Sequence, residues 1–253
     1  MNDIMDFAGK TALITGAASG IGAAVARWLD GRGVAHLILV DRDGHGLRGL
    51  GLSCKTDCHE ADVADPAFWQ KLEPELDGLD CALANAGIGA SGLMAEQSFA
   101  DWRRVMDVNL DGTFLTMSTA IRAMRASGGG SIVVTSSVTG AKPVPGIGAY
   151  GVAKAGVAHM ARIAAAEVAK DNIRVNAIAP GGVDTAIWDS GEDFRKNVAA
   201  YGRDAVLKQM AATTPRGQFA TPDELAGEIG FLLSDLSANI TGSVLVSDGG
   251  YSL

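Results

Sequence analysis

Thr11-Ala-Leu-Ile-Thr-Gly-Ala-Ala-Ser-Gly-Ile-Gly22 is the stretch that decides the fold. Thr11 to Thr15 is a short apolar run with polar ends, which reads as a buried strand. It leads directly into glycines at 16, 20 and 22, and Ile21 to Leu29 then reads as helix. Turning tightly from strand to helix, and approaching a pyrophosphate closely, both require a backbone without Cβ obstruction. The amides around Ser19, Gly20, Ile21 and Gly22 would face such a phosphate from the positive end of a helix. The glycine spacing matches the common G-x-G-x-x-G only approximately, and many Gly-rich turns are only turns. An acid at the next strand end changes that. His36 to Val40 reads as the second strand and ends on Asp41, nineteen residues beyond Gly22. A carboxylate there accepts hydrogen bonds from the adenosine ribose hydroxyls. It would also repel the 2′-phosphate of NADP, whereas Arg42 would attract it. Because the acid holds the ribose position itself, NAD is the expected cofactor.

Working outward, strand and helix alternate. A weak helix or loop spans residues 44–51, and a third strand falls near 56–61, ending at Asp62-Val63. A helix over Pro66 to Leu76 is capped by Asp65. The strand Cys81 to Ala84 delivers Asn85-Ala86-Gly87. One long helix is predicted from Ser98 to Met124, broken by Gly128-Gly-Gly130. The strand around Ile132 to Val134 ends on Ser136 and Ser137, where open α/β sheets place their ligands. Ala149 to about Lys170 is a proline-free, Ala-rich helix. Ile173 to Ile178 is the next strand and leads into Pro180-Gly181-Gly182. Residues 185–216 are polar and irregular by pattern. Pro222 to Leu233, capped by Thr221, and a strand from Ser243 to Val246 complete the chain. Such alternation implies one doubly wound α/β domain over residues 1–253, a parallel sheet with helices on both faces.

Tyr150 and Lys154 lie four residues apart on the Ala-rich helix, hence on one face. A nearby cation favours a phenolate, and a phenol tuned towards neutrality can exchange a proton with an alcohol oxygen. A Tyr beside a Lys is alone an ordinary packing pair. The serine at 137, on a strand end upstream, makes it a candidate catalytic set.

Ser137, Tyr150 and Lys154 at these spacings resemble the Ser/Tyr/Lys triad of the short-chain dehydrogenase/reductase family, and the resemblance runs from Thr15-Gly16 to Asp248-Gly249-Gly250. One local departure is Val152-Ala153, where the family usually has Ala and Ser before the Lys. The turn at 16–22 is similar to the family's T-G-x-x-x-G-x-G. The resemblance implies that Asp62 and Val63 contact adenine and that Asn85, Ala86 and Gly87 run along a ribose. It further implies that Asn109 is a fourth catalytic member, holding a water in a proton relay to Lys154. Without it Asn109 is a surface residue or a kink in the long helix. Pro180, Gly181, Val183 and Thr185 resemble the stretch that holds the nicotinamide carboxamide.

Net charge is −8 with Lys and Arg scattered, which argues against a nucleic-acid or anionic-membrane partner. Residues 1–6 show no apolar signal segment, no run approaches the ~20 apolar residues of a membrane span, and three cysteines suit a reduced, cytoplasmic setting. Cys54, Cys58 and His59 lack a fourth ligand at zinc-site spacing, so no metal is expected. Small residues on the Ala-rich helix, among them Ala153, Ala155, Gly156 and Ala158, suggest close helix pairing across a two-fold axis. A homotetramer, or failing that a homodimer, is expected.

The expected activity is NAD-dependent interconversion of a secondary alcohol and a ketone, with a small molecule as the partner. The alternatives are a non-catalytic cofactor sensor, an NADPH-dependent ketone reductase, and, less favoured, an epimerase or dehydratase of the same fold. Substrate would meet residues such as Leu93, Val138, Val144, Ile147 and Ile187, with Trp188 closing over it from a lid at 185–216. Lys142 is the one cation near enough in sequence to oppose an uncharged, apolar pocket.

Overall fold

The computed structural model describes residues 5–253, with the backbone alone at residue 190; residues 1–4, part of the stretch read for a signal segment, lie outside the described residues. Seven strands, β1 (Thr11–Thr15), β2 (His36–Asp41), β3 (Lys55–Glu60), β4 (Cys81–Ala84), β5 (Gly130–Thr135), β6 (Ile173–Pro180) and β7 (Val244–Ser247), form one parallel sheet in the order β3-β2-β1-β4-β5-β6-β7. Alternate residues of a strand feed opposite faces. In β1, Leu13 joins one apolar layer while Ala12 and Ile14 join the other. Both faces are therefore covered, as an all-parallel sheet requires.

The first layer packs α1 (Gly20–Asp30) and α9 (Pro222–Leu233) through Val25, Leu29, Leu225 and Ile229. The second packs α3 (Pro66–Leu72), α5 (Gly112–Ser127) and α6 (Gly148–Val168) through Trp69, Met117, Met124, Val157 and Ala161. The short α2 (Gly44–Arg48) follows β2. Asp65 caps α3, accepting from the Ala67 amide at 2.9 Å, and Thr221 with Glu224 closes a full capping box on α9.

Two segments differ from the sequence expectation. The long helix from Ser98 is two helices, α4 (Phe99–Met106) and α5, joined by a π-helical turn over Asp107–Asp111. Residues 185–216 are not irregular: a 3₁₀ turn (Ala186–Ser190) leads into α7 (Glu192–Tyr201) and α8 (Arg203–Ala211). Both helices are short and densely charged, so their apolar period is brief. They bury only a small core of their own, Phe194, Val206 and Leu207, with Trp188 and Phe219 against it. The strand order reverses between β1 and β4, so the turns after these strands open a crevice at the carboxyl edge, where doubly wound sheets bind ligands.

Candidate active site

β5 and α6 bring Ser137, Tyr150 and Lys154 together. Ser136 anchors the two elements, its hydroxyl donating to the Lys154 carbonyl at 2.7 Å. The turn after Ser137 presses closely on α6, since a Cβ on Gly140 would lie 2.8 Å from the Ala155 nitrogen. The Lys154 ammonium is buried, donates to the Thr135 carbonyl at 2.7 Å and sits 5.7 Å from the Tyr150 ring centre. The Tyr150 phenol hydrogen-bonds Ser137, and the Thr139 hydroxyl lies 3.0 Å from the same serine oxygen.

Burial pushes the Tyr150 phenol above its ordinary value, and the Ser137 hydrogen bond opposes it only in part. The expected lowering of the phenol by Lys154 is thus not what these side chains produce by themselves. Burial also pushes Lys154 down to about 8. This has a consequence for stability. Between pH 8 and the ordinary lysine value, unfolded chains bind a proton that the native protein has released, so this group's contribution to stability rises with pH across that window. Lys154→Met abolishes the effect. In denaturant titrations of the cofactor-free protein, wild type should gain on the variant by on the order of 3 kcal/mol between pH 8 and 10.5. A difference independent of pH would show that burial does not depress this lysine.

Asn109 is fully buried in the π-helical turn, so it is not a surface residue. Such turns recur at functional sites. Its Oδ1 accepts from the Ile88 amide at 2.8 Å, and its Nδ2 donates to the Ile88 carbonyl at 2.9 Å. Asn109 therefore fixes the loop after Asn85-Ala86-Gly87. A Cβ on Gly87 would lie 2.8 Å from Asn109 Oδ1 and 3.4 Å from Lys154 Nζ, which places all three at one point. Asn85 donates to the Thr15 and Gly16 carbonyls and accepts from Thr135, joining the ends of β1, β4 and β5.

The glycine turn is shaped for a close visitor. Gly16 and Gly20 have φ of +65° and +52°, and a Cβ on Gly22 would lie 2.1 Å from the Gly16 carbonyl oxygen. Helix α1 has no acid in its first turn, and Ser19 makes no side-chain cap bond. Asp41 spans the crevice edge, accepting from the Ala18 amide at 2.9 Å and the Asp43 amide at 3.0 Å. Asp62 accepts from the Ala64 amide, and the Val63 carbonyl takes the Trp69 indole N–H. From the other side, Pro180 ends β6, Gly181 lies against Asp248, Val183 is buried, and the Thr185 methyl is 3.1 Å from a Cβ position on Gly20. An uncapped helix end, a Cβ-free cradle and a carboxylate at the end of the next strand fit a nicotinamide dinucleotide.

Thr15, Thr135 and Ser136 hold this site through hydroxyls and backbone carbonyls. Ser136 was expected at a ligand-facing strand end beside Ser137, whereas Thr15 and Thr135 had no expected role. Their only signal is a polar residue at the end of an apolar strand. The structure also moves two substrate-side expectations. Trp188, half-buried, packs against the small core of the 185–216 segment, stacked on Phe219 at 5.5 Å with its N–H on the Val183 carbonyl, so packing takes up one of its faces. The Lys142 ammonium donates to the Tyr251 carbonyl and lies 4.2 Å from the Tyr251 ring centre. Leu93, Met94 and Ile187 remain exposed.

This chain belongs to the short-chain dehydrogenase/reductase family: the family profile described as Enoyl-(Acyl carrier protein) reductase matches residues 16–252. Among its relatives, the cis-4-hydroxycyclohexanecarboxylate dehydrogenase of Sinomonas cyclohexanicum is 40% identical, covering 97% of this chain and 98% of its own. The cyclohexanol dehydrogenase of an Acinetobacter species is 34% identical, covering 97% and 96%. A solved structure from Beutenbergia cavernae that holds NADP at low occupancy superposes with a TM-score of 0.86 at 32% identity, covering 98% of this chain and 99% of that one. The protein is an oxidoreductase of the secondary-alcohol class, and its family uses NAD or NADP. No helix among the described residues is long and apolar enough to cross a membrane.

Proposed function

We propose that this protein is an NAD(H)-dependent dehydrogenase of secondary alcohols carried on six-membered rings, with Tyr150 as the proton-transferring group. The carrying observation is the juxtaposition of Ser137, Tyr150 and buried Lys154 along the same carboxyl edge of the sheet as the Cβ-free turn and Asp41. In oxidation the alcohol proton moves to the Tyr150 oxygen, and in reduction Tyr150 returns it. Ser137 hydrogen-bonds the substrate oxygen and stabilises the charge that develops there. Lys154 holds the nicotinamide ribose and, while protonated, favours the phenolate that burial opposes. Asn109 positions the wall of the site and holds a water towards Lys154. When bound, the nicotinamide supplies the hydride acceptor or donor. Asp41 accepts from the adenosine ribose and disfavours NADP, with Gly16, Ser19, Gly20, Ile21 and Gly22 around the pyrophosphate. Asp62 and Val63 flank the adenine, Asn85, Ala86 and Gly87 a ribose, and Pro180, Gly181, Val183 and Thr185 the carboxamide. Residues 185–216 act as the lid of what we take to be a single domain working in the cytoplasm.

The ring preference draws on the cyclohexane chemistry named in two relatives. An uncharged ring is favoured because Lys142 is engaged with the chain's own Tyr251, while Leu93, Met94 and Ile187 offer apolar surface. The relative that takes a carboxylate supports a charged ring as the second reading. A panel pairing cyclohexanol and an ester of 4-hydroxycyclohexanecarboxylate with the free acid and an open-chain secondary alcohol separates them. The neutral rings should show the highest kcat/KM. Preference for the acid that Lys142→Ala removes would establish the charged reading instead, and preference for open-chain alcohols would end the ring assignment.

Assembly as a homotetramer, or a dimer, is also proposed. Ala153, Ala161, Ala164 and Ala165 of α6 are used in the chain's own core, but Phe114 on α5 and Val152 and Ile163 on α6 stay about half exposed. Apolar side chains on two neighbouring helices suit a self-complementary contact. Light scattering should give two or four times the mass of one chain, and Phe114→Glu should lower it. A monomeric wild type at micromolar concentration would refute the assembly.

A further inference from the structure

One side chain ties together several points of the segment between β6 and α8. Arg203, the first residue of α8, reaches back across the lid. Its Nη2 donates to Asp184 Oδ1 at 2.8 Å and to the Thr185 carbonyl at 2.9 Å, and its Nη1 donates to Asp189 Oδ1 at 2.8 Å. The same guanidinium lies 5.4 Å from the Phe194 ring centre. Gly202, at φ +81°, is the corner that turns α8 back towards the segment. The Thr185 methyl in turn faces Gly20 of the glycine turn, 3.1 Å from where a Cβ on that glycine would stand. Behind the segment there is little packed core. Beyond the Thr185–Gly20 approach, an open cavity of about 410 Å³ lies between the segment, α1 and α9, lined by Ser19, Arg27, Asp189, Arg203 and Asp223 among others.

We propose that Arg203 is a positioning residue that latches residues 184–189 against the glycine turn, and so sets how fast the nicotinamide nucleotide leaves. The inference rests on the cofactor reading above. A single exposed ion pair contributes little. Here three acceptors converge on one planar guanidinium, in a fork that a lysine cannot reproduce. The apolar anchors of the segment, Trp188 and the three-residue core beside it, are few, so loss of the latch frees the strip carrying Thr185. Arg203 meets no reacting atom in this account. Its effect passes through Thr185 and Asp184.

Stopped-flow displacement of NADH tests this. In Arg203→Gln the dissociation rate should rise by about fivefold or more, with the association rate within about twofold of wild type. Arg203→Lys should be intermediate. Asp189→Asn, which takes the charge from one acceptor without touching Thr185, should give a smaller rise in the same direction and should be non-additive with Arg203→Gln. Melting temperatures of the cofactor-free variants check that each is folded; if Arg203→Gln is not, Asp189→Asn carries the test. Wild type that binds NADH while folded Arg203→Gln or Asp189→Asn releases it at the wild-type rate would overturn the latch alone. Wild type that binds no nicotinamide nucleotide would overturn the cofactor reading beneath it.

Discussion

Tyr150→Phe should lower turnover by at least ~10² while leaving NAD binding intact. The substitution keeps the ring, which packs on α6 near Lys154, and deletes only the hydroxyl bonded to Ser137. A hundredfold loss corresponds to about 2.7 kcal/mol of transition-state stabilisation, an ordinary magnitude for a positioned acid or base. Lys154 cannot substitute: its ammonium is buried and committed to the Thr135 carbonyl. Ser137 cannot either, since an unassisted hydroxyl is a poor base near neutrality. Equal loss of kcat and kcat/KM, with an unchanged NADH dissociation constant, is the expected signature. Near-normal turnover would remove Tyr150 from its role.

Asp41→Ala should weaken NAD and relax discrimination against NADP. The carboxylate is fixed at the crevice edge by the Ala18 and Asp43 amides, so its charge is held in place. Losing a charged acceptor to a ribose hydroxyl is worth about 1.5–3 kcal/mol, or ~10 to 10² in affinity. Losing the like-charge repulsion acts in the opposite direction on NADP. The ratio of kcat/KM values for NAD over NADP should therefore fall by at least ~10. A wild type that already prefers NADPH, as the neighbouring NADP-bound structure makes worth testing, would reverse the assignment.

Legibility in the sequence followed locality. The β1–α1 unit was readable because an apolar run, glycine-dependent turns and an acid at the next strand end are all features of sequence spacing. Helix α9 was readable from Thr221, Pro222 and the apolar run behind them, and its capping box is present. The π-helical turn at Asn109 was not readable, because adding one residue to a helical turn leaves a nearly continuous helical pattern on both sides. Its consequence, an asparagine buried and bonded on both amide atoms to Ile88, depends on a loop distant in sequence. Trp188 shows the same limit. Its apolar neighbourhood suggested a cover for substrate, yet Phe219, far along the chain, takes one of its faces. Thr135 contributes a backbone carbonyl to Lys154, and backbone groups leave no mark on residue type. The phenol's upward shift likewise follows from burial in three dimensions, which a Tyr four residues before a Lys does not report.

The most direct test follows nicotinamide absorbance as purified protein meets cyclohexanol with NAD, and separately with NADP, beside Tyr150→Phe under the same conditions. Wild type should reduce NAD with a kcat/KM at least ~10-fold above that for NADP, and the variant should retain no more than ~1% of that turnover, as the assignment of Asp41 and Tyr150 requires. Binding of NADH without reduction or oxidation of any ring alcohol or ketone by wild type would contradict it.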